Sequence, residues 1–519
     1  MRVLATGGTG VVGDATVTAL LAHGHEVRLL SRHAREDAAR WPGGVDAWPG
    51  NVTDAASLRG AARGCDAVVH LAAVVREQPP DVTFAAVNVQ GTRHVVDEAA
   101  RSGAPRFVYV SSLGCERGTS DYHRSKLAGE EIVRGYAGPW TVVRVANVYG
   151  PGDEVLSLLL RWVRALPAVP VIGDGEEEFQ PIWAEDAGEA LARAVERDDL
   201  TGAVLEIAGP ERTCMNDVVR RFATLTGRDP LRVPVPSFVA TLATGAAARL
   251  GADFPVDEGQ IRMLREGNVI DAPAVNALES VFGVRPTPLA HGLRLLADQQ
   301  PEQLPDEGVG ALVRKRFWVD IEGSRLGAEA LLGAVRRRFD ELTPWTIDVG
   351  SEPGTPRALE EGATLTMHVP LRGNVQVRVN ELAPRRITLV TLQGHPLAGA
   401  GRLRTAARGA RVRFEVQVVD RPASIADWLV MRPVGTHVQA ATWRALLDRV
   451  LEVSGGRAPD GVQQDTEALD EREAAREEAR LGKLVRTRRR VAREEAHPPE
   501  AEQPRRRPPA ESRDDRRAP

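Results

Sequence analysis

A tyrosine and a lysine four residues apart, Tyr122 and Lys126, are the side chains of this sequence best suited to acid–base chemistry. The pair is informative because the whole chain of 519 residues contains only three lysines and four tyrosines. Four residues are slightly more than one helical turn, so both side chains would lie on one helix face. There an ammonium would favour the ionised phenol and lower its pKa from about 10. The pair therefore predicts a general acid or base, with two solvated side chains on a surface helix as the alternative.

A glycine-rich turn near the N-terminus predicts a binding site. A short apolar run leads into Thr6-Gly-Gly-Thr-Gly-Val-Val-Gly13, which fits G-x-x-G-x-x-G from Gly7 and G-x-G-x-x-G from Gly8. Such glycines allow a tight strand-to-helix turn, space for a pyrophosphate, and close packing of helix on strand. The helix that follows would direct free N–H groups and a positive dipole end toward the phosphates. The predicted cofactor contacts in this turn are Gly7, Thr9, Gly10, Val11, Val12 and Gly13.

The end of the second predicted strand bears on which dinucleotide would bind. That strand, residues 26–30, is followed by Ser31 and Arg32. An NAD site usually has a carboxylate here for the ribose 2′-hydroxyl, and the strand end offers none. Arg32, with Arg35 nearby, would suit a 2′-phosphate. We therefore expect NADP to be preferred, with NAD as the alternative.

Apolar runs alternate with helical patterns through the first 300 residues. The runs at 68–73, 107–110, 141–145 and 204–207 predict strands, and helical stretches such as 88–101 and 122–136 separate them. This alternation indicates parallel βαβ units, hence an α/β fold with a Rossmann-type doubly wound parallel sheet. Ligands bind beyond the carboxyl ends of such strands. Ser111, Ser112 and the segment after residue 70 are therefore expected at one edge, together with the glycine turn.

Seven motifs in a fixed order resemble one family. They lie at residues 6–13, 70–73, 87–92, 108–112, 122–126, 147–153 and 179–186. Together they resemble the extended short-chain dehydrogenase/reductases, or NAD-dependent epimerase/dehydratases, and most closely the branch related to an accessory subunit of respiratory complex I. The resemblance covers about residues 1–300, with the substrate side within 151–300.

The resemblance implies roles for individual residues. Tyr122 would be the general acid/base, and Lys126 would lower its pKa and hold the nicotinamide ribose. Ser112 would hydrogen-bond the substrate oxygen, with Ser111 as the second candidate. Asn88 would support a proton relay or brace the sheet. The implied cofactor contacts outside the glycine turn are Arg32, Asn51, Val52, Leu71, Ala72, Ala73, Asn88, Tyr122 and Lys126.

The implied reaction is an NAD(P)-dependent redox step or epimerisation of a small molecule. Hydride would pass between the nicotinamide and a carbinol or carbonyl carbon while Tyr122 moves the hydroxyl proton. Only ten residues separate Ser112 from Tyr122, a short loop for the extended type. No basic cluster suits a nucleotide-sugar diphosphate, which argues against a sugar-nucleotide epimerase. The expected substrate is a small molecule that the sequence does not identify, with an apolar one as a candidate. A sensor or assembly factor that binds NAD(P) without turnover is the alternative.

A second domain is predicted after a polar, proline-bearing linker at 299–308. We predict an α+β domain over 311–455. Its pattern consists of a strand, a helix at 327–342, several alternating strands and a closing helix at 438–453. A curved sheet around a long terminal helix is the helix-grip arrangement. Residues 391–399, 420–423 and 432–434 resemble an uncharacterised bacterial family of the START/polyketide-cyclase superfamily. This resemblance implies a pocket for a hydrophobic ligand, with a lipid carrier as a further alternative, and His395 is expected in a turn.

The composition bounds the remaining possibilities. Residues 456–519 mix basic triplets, prolines and carboxylates, which predicts a charged and largely disordered tail. Within it, residues 465–495 have a helical composition without an apolar stripe, so this segment is either a solvated helix or disordered. A net charge of −4 favours no nucleic-acid partner. Three widely spaced cysteines indicate neither a disulfide framework nor a zinc site, so no metal is expected. We find no signal peptide and no membrane-spanning apolar run, and therefore expect a cytoplasmic protein.

Overall fold

The computed structural model describes residues 1–236 and 268–496, except for residues 42, 44, 104, 105, 345, 346, 370 and 371. Over these ranges an α/β domain precedes an α+β domain, as the sequence predicts. Part of the predicted substrate side, residues 237–267, lies outside the described residues.

The first domain alternates strands and helices. Its strands are β1 (Arg2–Thr6), β2 (Glu26–Ser31), β3 (Val45–Pro49), β4 (Ala67–His70), β5 (Arg106–Ser112), β6 (Trp140–Val145), β7 (Val148–Tyr149), β8 (Ala168–Ile172), β9 (Ile182–Trp183), β10 (Ala203–Ile207) and β11 (Leu231–Val235). Its described helices are α1 (Val11–Ala22), α2 (Ala34–Ala38), α3 (Thr92–Arg101), α4 (Asp121–Arg134), α5 (Leu156–Ala165), α6 (Ala184–Glu196), α7 (Met215–Thr226), α8 (Ala277–Ser280) and α9 (Leu289–Asp298). A π-helical segment at Ala85–Gly91 leads into α3.

A seven-stranded parallel sheet forms the centre of this domain, in the order β3-β2-β1-β4-β5-β6-β10. Successive residues of β1 point to opposite faces, so that Val3 and Ala5 join the core on one face and Leu4 joins the core on the other. Both faces are therefore covered, which explains the continuous apolar runs. The strand order reverses between β1 and β4, the switch point where doubly wound sheets bind ligands. The predicted Rossmann-type sheet is confirmed.

The second domain is built on an eight-stranded antiparallel sheet. Its strands are β12 (Val313–Glu322), β13 (Asp348–Val349), β14 (Thr364–Val369), β15 (Gly373–Ala383), β16 (Arg386–Thr391), β17 (Leu397–Arg408), β18 (Arg411–Pro422) and β19 (Gln463–Ala468), in the order β13-β14-β15-β16-β17-β18-β12-β19. Its helices are α10 (Ala328–Arg337), α11 (Phe339–Leu342), α12 (Ile425–Ser454) and α13 (Glu471–Ala496). Leu446, Leu447 and Val450 of α12 pack in the core with the inner face of the sheet.

Several boundaries in this domain differ from the prediction. The helix predicted at 327–342 is two helices, α10 and α11, and the closing helix begins at Ile425 rather than at 438. His395 lies in the turn between β16 and β17, where its Nδ1 is 3.0 Å from both the nitrogen and the oxygen of Leu397. Burial lowers the pKa of His395 to about 4. These contacts agree with the expected turn role.

The first part of the charged tail, from residue 456, packs on the second domain, and one of the two predicted alternatives for residues 465–495, a helix, is present as α13. Strand β19 pairs with β12 at the edge of the second sheet. Helix α13 then crosses the sheet, where Leu481 and Val485 are buried against Val390 and Ala400. The apolar contacts are sparse and widely spaced along a charged helix, which is why no stripe is visible in the sequence. The end of the tail, residues 497–519, lies outside the described residues.

The linker at 299–308 is polar, as expected, but it is packed rather than exposed. Glu302 is 3% exposed and is bound by Arg378 at 3.0 Å and by Arg489 of α13 at 2.6 Å. Burial alone would raise the pKa of Glu302, but the two guanidinium groups hold it at about 2. The linker and helix α13 are therefore fastened to the same sheet.

A buried ion pair joins the two domains. Arg164 at the end of α5 donates to Glu352 from Nε and Nη2, both at 2.8 Å, and from Nη1 to Gln376 of β15 at 2.8 Å. The side chains of Arg164 and Glu352 are 5% and 4% exposed. Helix α5 is thereby held between the first domain and the sheet of the second. No helix in the described part of the chain is both long and apolar enough to cross a membrane.

Removing one partner of this ion pair tests its contribution. We expect Arg164→Met to lower the free energy of unfolding by about 3–5 kcal/mol, because the carboxylate of Glu352 would stay buried without a counter-charge. Arg338→Met, which removes an arginine from an exposed pair with Glu341, should cost no more than about 1 kcal/mol. Urea denaturation of the full chain measures both variants. Equal midpoints for the two would contradict a stabilising role for the buried pair of Arg164 and Glu352.

Candidate active site

The glycine turn between β1 and α1 lies against the loop that follows β4. Gly7 has φ +71°, and a Cβ there would lie 2.5 Å from the backbone nitrogen of Ala72. A Cβ at Gly13 would lie 2.1 Å from the oxygen of Gly7, so the helix start also packs too closely for a side chain. At Gly10 the nearest atom is 3.7 Å away. The turn is therefore tight on two sides and open at Gly10, the side on which a pyrophosphate would lie.

A cavity of about 980 Å³ runs along the carboxyl edge of the sheet from this turn. The predicted residues that line it are Gly7, Thr9, Gly10, Val11, Val12, Gly13, Arg32, Asn51, Val52, Leu71, Ala72, Ala73, Ser112, Tyr122 and Lys126. Its size is sufficient for a dinucleotide with a substrate beside it. The residues present thus fit a bound dinucleotide.

Asn88 is the predicted contact that lies behind the cavity wall. It is 1% exposed, its Nδ2 donates to Val74 oxygen at 3.0 Å, and its Oδ1 accepts from Val74 nitrogen at 2.8 Å. The same Nδ2 donates to Ser125 of α4 at 2.9 Å. Of the two roles predicted for Asn88, these contacts favour bracing, since they hold the loop after β4 beside the helix of Tyr122.

The adenosine end of the cavity contains a carboxylate that the sequence prediction missed. Asp37 of α2 lines this end together with Arg32, His33 and Arg40, and it accepts a hydrogen bond from the Ser31 hydroxyl. The end of β2 itself carries no carboxylate, but the loop and helix α2 that follow place the carboxylate of Asp37 beside it. Arg35, by contrast, is exposed and does not line the cavity.

Tyr122 lies in the first turn of α4. Ser120 caps this helix by accepting a hydrogen bond from the backbone nitrogen of His123 at 3.2 Å. The phenol ring is packed edge-on against Phe84, with ring centres 6.0 Å apart. Burial raises the pKa of Tyr122 to about 12, and a hydrogen bond with Ser112 acts in the opposite direction. The phenol is therefore neutral at physiological pH in this structure.

Lys126 is buried one turn further along α4. Its Nζ donates to the oxygen of Val110 at 2.6 Å and lies 4.6 Å from the centre of the Tyr109 ring. Burial lowers the pKa of Lys126 to about 8. Desolvation thus dominates the pKa of both groups, and the effect of Lys126 on the pKa of Tyr122 stays a prediction.

A buried histidine holds the ends of β1 and β4 together. His70 Nδ1 is 2.6 Å from the hydroxyl of Thr6, and its Nε2 is 3.0 Å from the hydroxyl of Thr92. Burial, with a smaller effect from Lys126, lowers the pKa of His70 to about 3. His70 is therefore a neutral brace behind the glycine turn. Its place in an otherwise apolar strand was the only sequence signal for this role.

A buried ion pair anchors α4 to the sheet behind the candidate catalytic residues. Glu130, four residues beyond Lys126, accepts hydrogen bonds from Arg144 of β6 at 2.9 and 2.8 Å. The thiol of Cys115 donates to the same carboxylate at 3.0 Å. The sequence prediction missed this pair, although an arginine inside the apolar run at 141–145 is a signal of a buried partner.

The other arm of the cavity is mostly apolar. Its apolar lining residues are Val148, Val155, Leu156, Leu158, Leu159, Trp162, Pro170, Val171, Ile172, Phe179 and Met215. None of the described residues that line this arm is an arginine or a lysine. The side-chain amide oxygens, Oδ1, of Asn147 and Asn268 are buried there without a partner among the described residues. Asp153, Glu154 and Glu177 also line this part of the cavity. The arm therefore offers an apolar wall with acidic groups at its edge and two amide oxygens that can accept hydrogen bonds.

Comparisons with known proteins agree with this geometry. Residues 3–208 match the NAD dependent epimerase/dehydratase family. A ceramide reductase of Caulobacter vibrioides is 31% identical over 288 residues, which cover 54% of this chain and 89% of that protein. NADH dehydrogenase (ubiquinone) 1 alpha subcomplex subunit 9 of Mus musculus is 26% identical over 245 residues, which cover 46% of this chain and 63% of the relative. The chain belongs to the NAD-dependent epimerase/dehydratase family.

A third relative is longer than the region that it shares with this chain. An uncharacterized protein of Mycobacterium tuberculosis is 29% identical over 249 residues, 48% of this chain. The match spans about a quarter of the relative's own length, 25%.

The open space at Gly10 gives a direct test of dinucleotide binding. We expect Gly10→Val to fold but to weaken NADH and NADPH binding by about tenfold or more, since its side chain would occupy the pyrophosphate position. Gly327→Val is the matched control, because a Cβ at Gly327 meets no atom within 4 Å and lies in the second domain. Titration of nucleotide fluorescence measures both, and equal affinities would contradict this position for the pyrophosphate.

Proposed function

We propose that this protein is an NAD(P)-dependent oxidoreductase that acts on a carbinol or carbonyl group of an apolar small molecule. The observation that carries the proposal is one continuous cavity lined by the glycine turn, by Ser112, Tyr122 and Lys126, and by an apolar arm. An epimerase or dehydratase would use the same groups with an internal rather than a net redox change. The roles of the individual residues are part of this proposal.

The bound dinucleotide would supply hydride exchange with the substrate carbon. Tyr122 would give a proton to the substrate oxygen on reduction, or take it on oxidation. The hydroxyl of Ser112 would donate to the same oxygen as negative charge develops there, with Ser111 as the second candidate. Lys126 would hold a ribose hydroxyl by leaving its present acceptor, the oxygen of Val110. Its positive charge then favours the ionised phenol.

Tyr122→Phe tests the proton-transfer role. We expect kcat for a reducible ketone to fall by about 10²–10⁴-fold, the usual contribution of a positioned acid, with NADPH affinity nearly unchanged. Tyr136→Phe is the matched control, because Tyr136 is buried in the core on one face of the sheet and does not line the cavity. Stopped-flow absorbance of the reduced cofactor measures the step, and equal rates in the two variants would refute the assignment.

We propose that NADP is preferred over NAD. Arg32 and Arg40 at the adenosine end would pair with a 2′-phosphate. The carboxylate of Asp37 would repel that phosphate. However, its Oδ1 lies 3.4 Å from Nη2 of Arg40, and its Oδ2 accepts a hydrogen bond from the Ser31 hydroxyl. Its charge is therefore partly compensated.

Reversing the charge of Arg32 tests this preference. We expect Arg32→Glu to weaken NADPH binding by about 100-fold, because a charge-assisted hydrogen bond contributes about 3 kcal/mol. The affinity for NADH should stay within a few-fold of that of the unmodified protein. Arg35→Glu makes the same charge change outside the cavity lining and should change neither affinity appreciably. Equal losses for the two nucleotides, or for the two variants, would contradict the proposed role of Arg32.

The apolar arm supports a hydrophobic substrate. An arm without arginine or lysine among its described residues gives no counter-charge for a diphosphate. The acceptor oxygens of Asn147 and Asn268 would take hydrogen bonds from substrate hydroxyl or amide donors. The relative named ceramide reductase agrees with such a substrate. We therefore propose a long-chain ketone or alcohol rather than a nucleotide sugar.

We propose a supporting role for the second domain. Helix α5 contributes Leu159 and Trp162 to the apolar arm, and its Arg164 is bound by Glu352 of the second domain. The second domain would thus hold one wall of the substrate arm in place. Its likeness to the START/polyketide-cyclase superfamily and the helix-grip arrangement are also part of this proposal, with the domain extended through α13.

A further inference from the structure

Two histidines and two glutamates cluster at the end of the first domain that faces away from the cavity. His23 directly follows α1, His25 directly precedes β2, and Glu189 and Glu196 lie on α6. Helix α1 is about 18 Å long, so the cluster lies a full helix length from the glycine turn. Nothing in the proposed reaction uses these side chains.

Three of these residues present donor atoms to a common point. His23 Nδ1 is 3.0 Å and His25 Nε2 is 2.8 Å from the same oxygen of Glu196, Oε1. All three atoms lie within 4.8 Å of one another. Ligand atoms about 2.0–2.1 Å from a tetrahedral zinc ion are roughly 3.4 Å apart. The two distances from the histidine nitrogens to Glu196 Oε1 are therefore within about 0.6 Å of the spacing that a tetrahedral ion requires.

The fourth residue orients the first histidine. His23 Nε2 is 3.2 and 3.1 Å from the two carboxylate oxygens of Glu189. A neutral imidazole carries one N–H and cannot donate to Glu189 and Glu196 together. A second proton on the imidazole, or a cation between His23 and one of the two carboxylates, satisfies both contacts. A carboxylate behind a metal-ligating histidine is the usual outer contact that fixes its tautomer.

The local electrostatics favour a cation at this point. Helices α1 and α6 both end there, at Ala22 and Glu196, and each brings the negative end of its dipole. The remaining nitrogen of His25, Nδ1, is 3.3 Å from the amino nitrogen of Met1.

We propose that His23 Nδ1, His25 Nε2 and Glu196 Oε1 form a zinc site, with Glu189 as the outer partner of His23. Two imidazoles and one carboxylate are a donor set that zinc takes, with water as the fourth ligand. The ion would fasten the end of α1 to the end of α6, two helices that pack along their length. The site is built from histidines and a glutamate, which is why the cysteine spacing gave no sign of it.

Zinc titration of the full chain, after removal of metals with a chelator, tests this site. We expect saturable binding of one zinc ion in calorimetry and a higher melting temperature when zinc is added. In Co²⁺-loaded protein we expect the visible absorption of a tetrahedral site. His23→Ala/His25→Ala should lose the Co²⁺ absorption and the thermal shift, and Glu189→Gln should weaken binding by about 10–100-fold.

His291→Ala is the control, since His291 is exposed on α9 in a different part of the domain. Circular dichroism of the metal-free variants shows whether each is folded, which separates loss of the site from loss of the fold. Glu196→Gln provides a second, more conservative removal of a ligand. Binding of the same strength in folded His23→Ala/His25→Ala and Glu196→Gln, or no saturable binding by the unmodified protein, would overturn the proposal.

Discussion

The close approach of the first βα turn to the loop after β4 is the constraint on which this structure depends. Gly7 touches that loop so closely that a Cβ would lie 2.5 Å from Ala72 nitrogen. The contact fixes the start of α1 at the switch point of the sheet. The neutral imidazole of His70, held between two threonine hydroxyls, keeps the two strand ends in register from behind. The cavity and its catalytic candidates are arranged along this edge.

Burial is the second constraint, and it acts against the chemistry that the residue pattern suggests. Desolvation raises the pKa of Tyr122 to about 12 and lowers that of Lys126 to about 8. A buried phenol near a buried amine does not ionise unless positive charge is brought close and kept there. The proposed mechanism therefore requires Lys126 to exchange Val110 for a bound ribose, so that cofactor binding and activation of the tyrosine are coupled.

Much of the first domain follows from local signals in the sequence. Strand and helix periods and the glycine turn predict the parallel sheet, and the predicted site residues line one cavity except for Asn88 and Arg35. The place of Asn88 could not be predicted, because a buried amide can either brace a loop or contact a ligand. The choice depends on its hydrogen-bond partners, which the sequence does not show. Asp37 was missed since a short helix returns it to the end of β2.

The second domain shows where local signals are insufficient. Helix α13 has few apolar residues, yet Leu481 and Val485 are buried and Arg489 reaches Glu302 of the distant linker. The joining of the domains by Arg164 and Glu352 is equally invisible in sequence, because the two residues are far apart in the chain. Such contacts depend on tertiary packing rather than on periodicity. They decide whether a charged segment is a free tail or part of a sheet.

The most direct test of the account is a spectroscopic titration of tyrosinate with and without oxidised cofactor. Burial raises the pKa of all four tyrosines of the chain, so the free protein should form no tyrosinate below about pH 10. We expect saturating NADP⁺ to bring the ionisation of one tyrosine down toward neutral pH, and Tyr122→Phe to abolish that change. No tyrosinate signal below about pH 10 with the cofactor bound, or a signal that persists in Tyr122→Phe, would contradict the account.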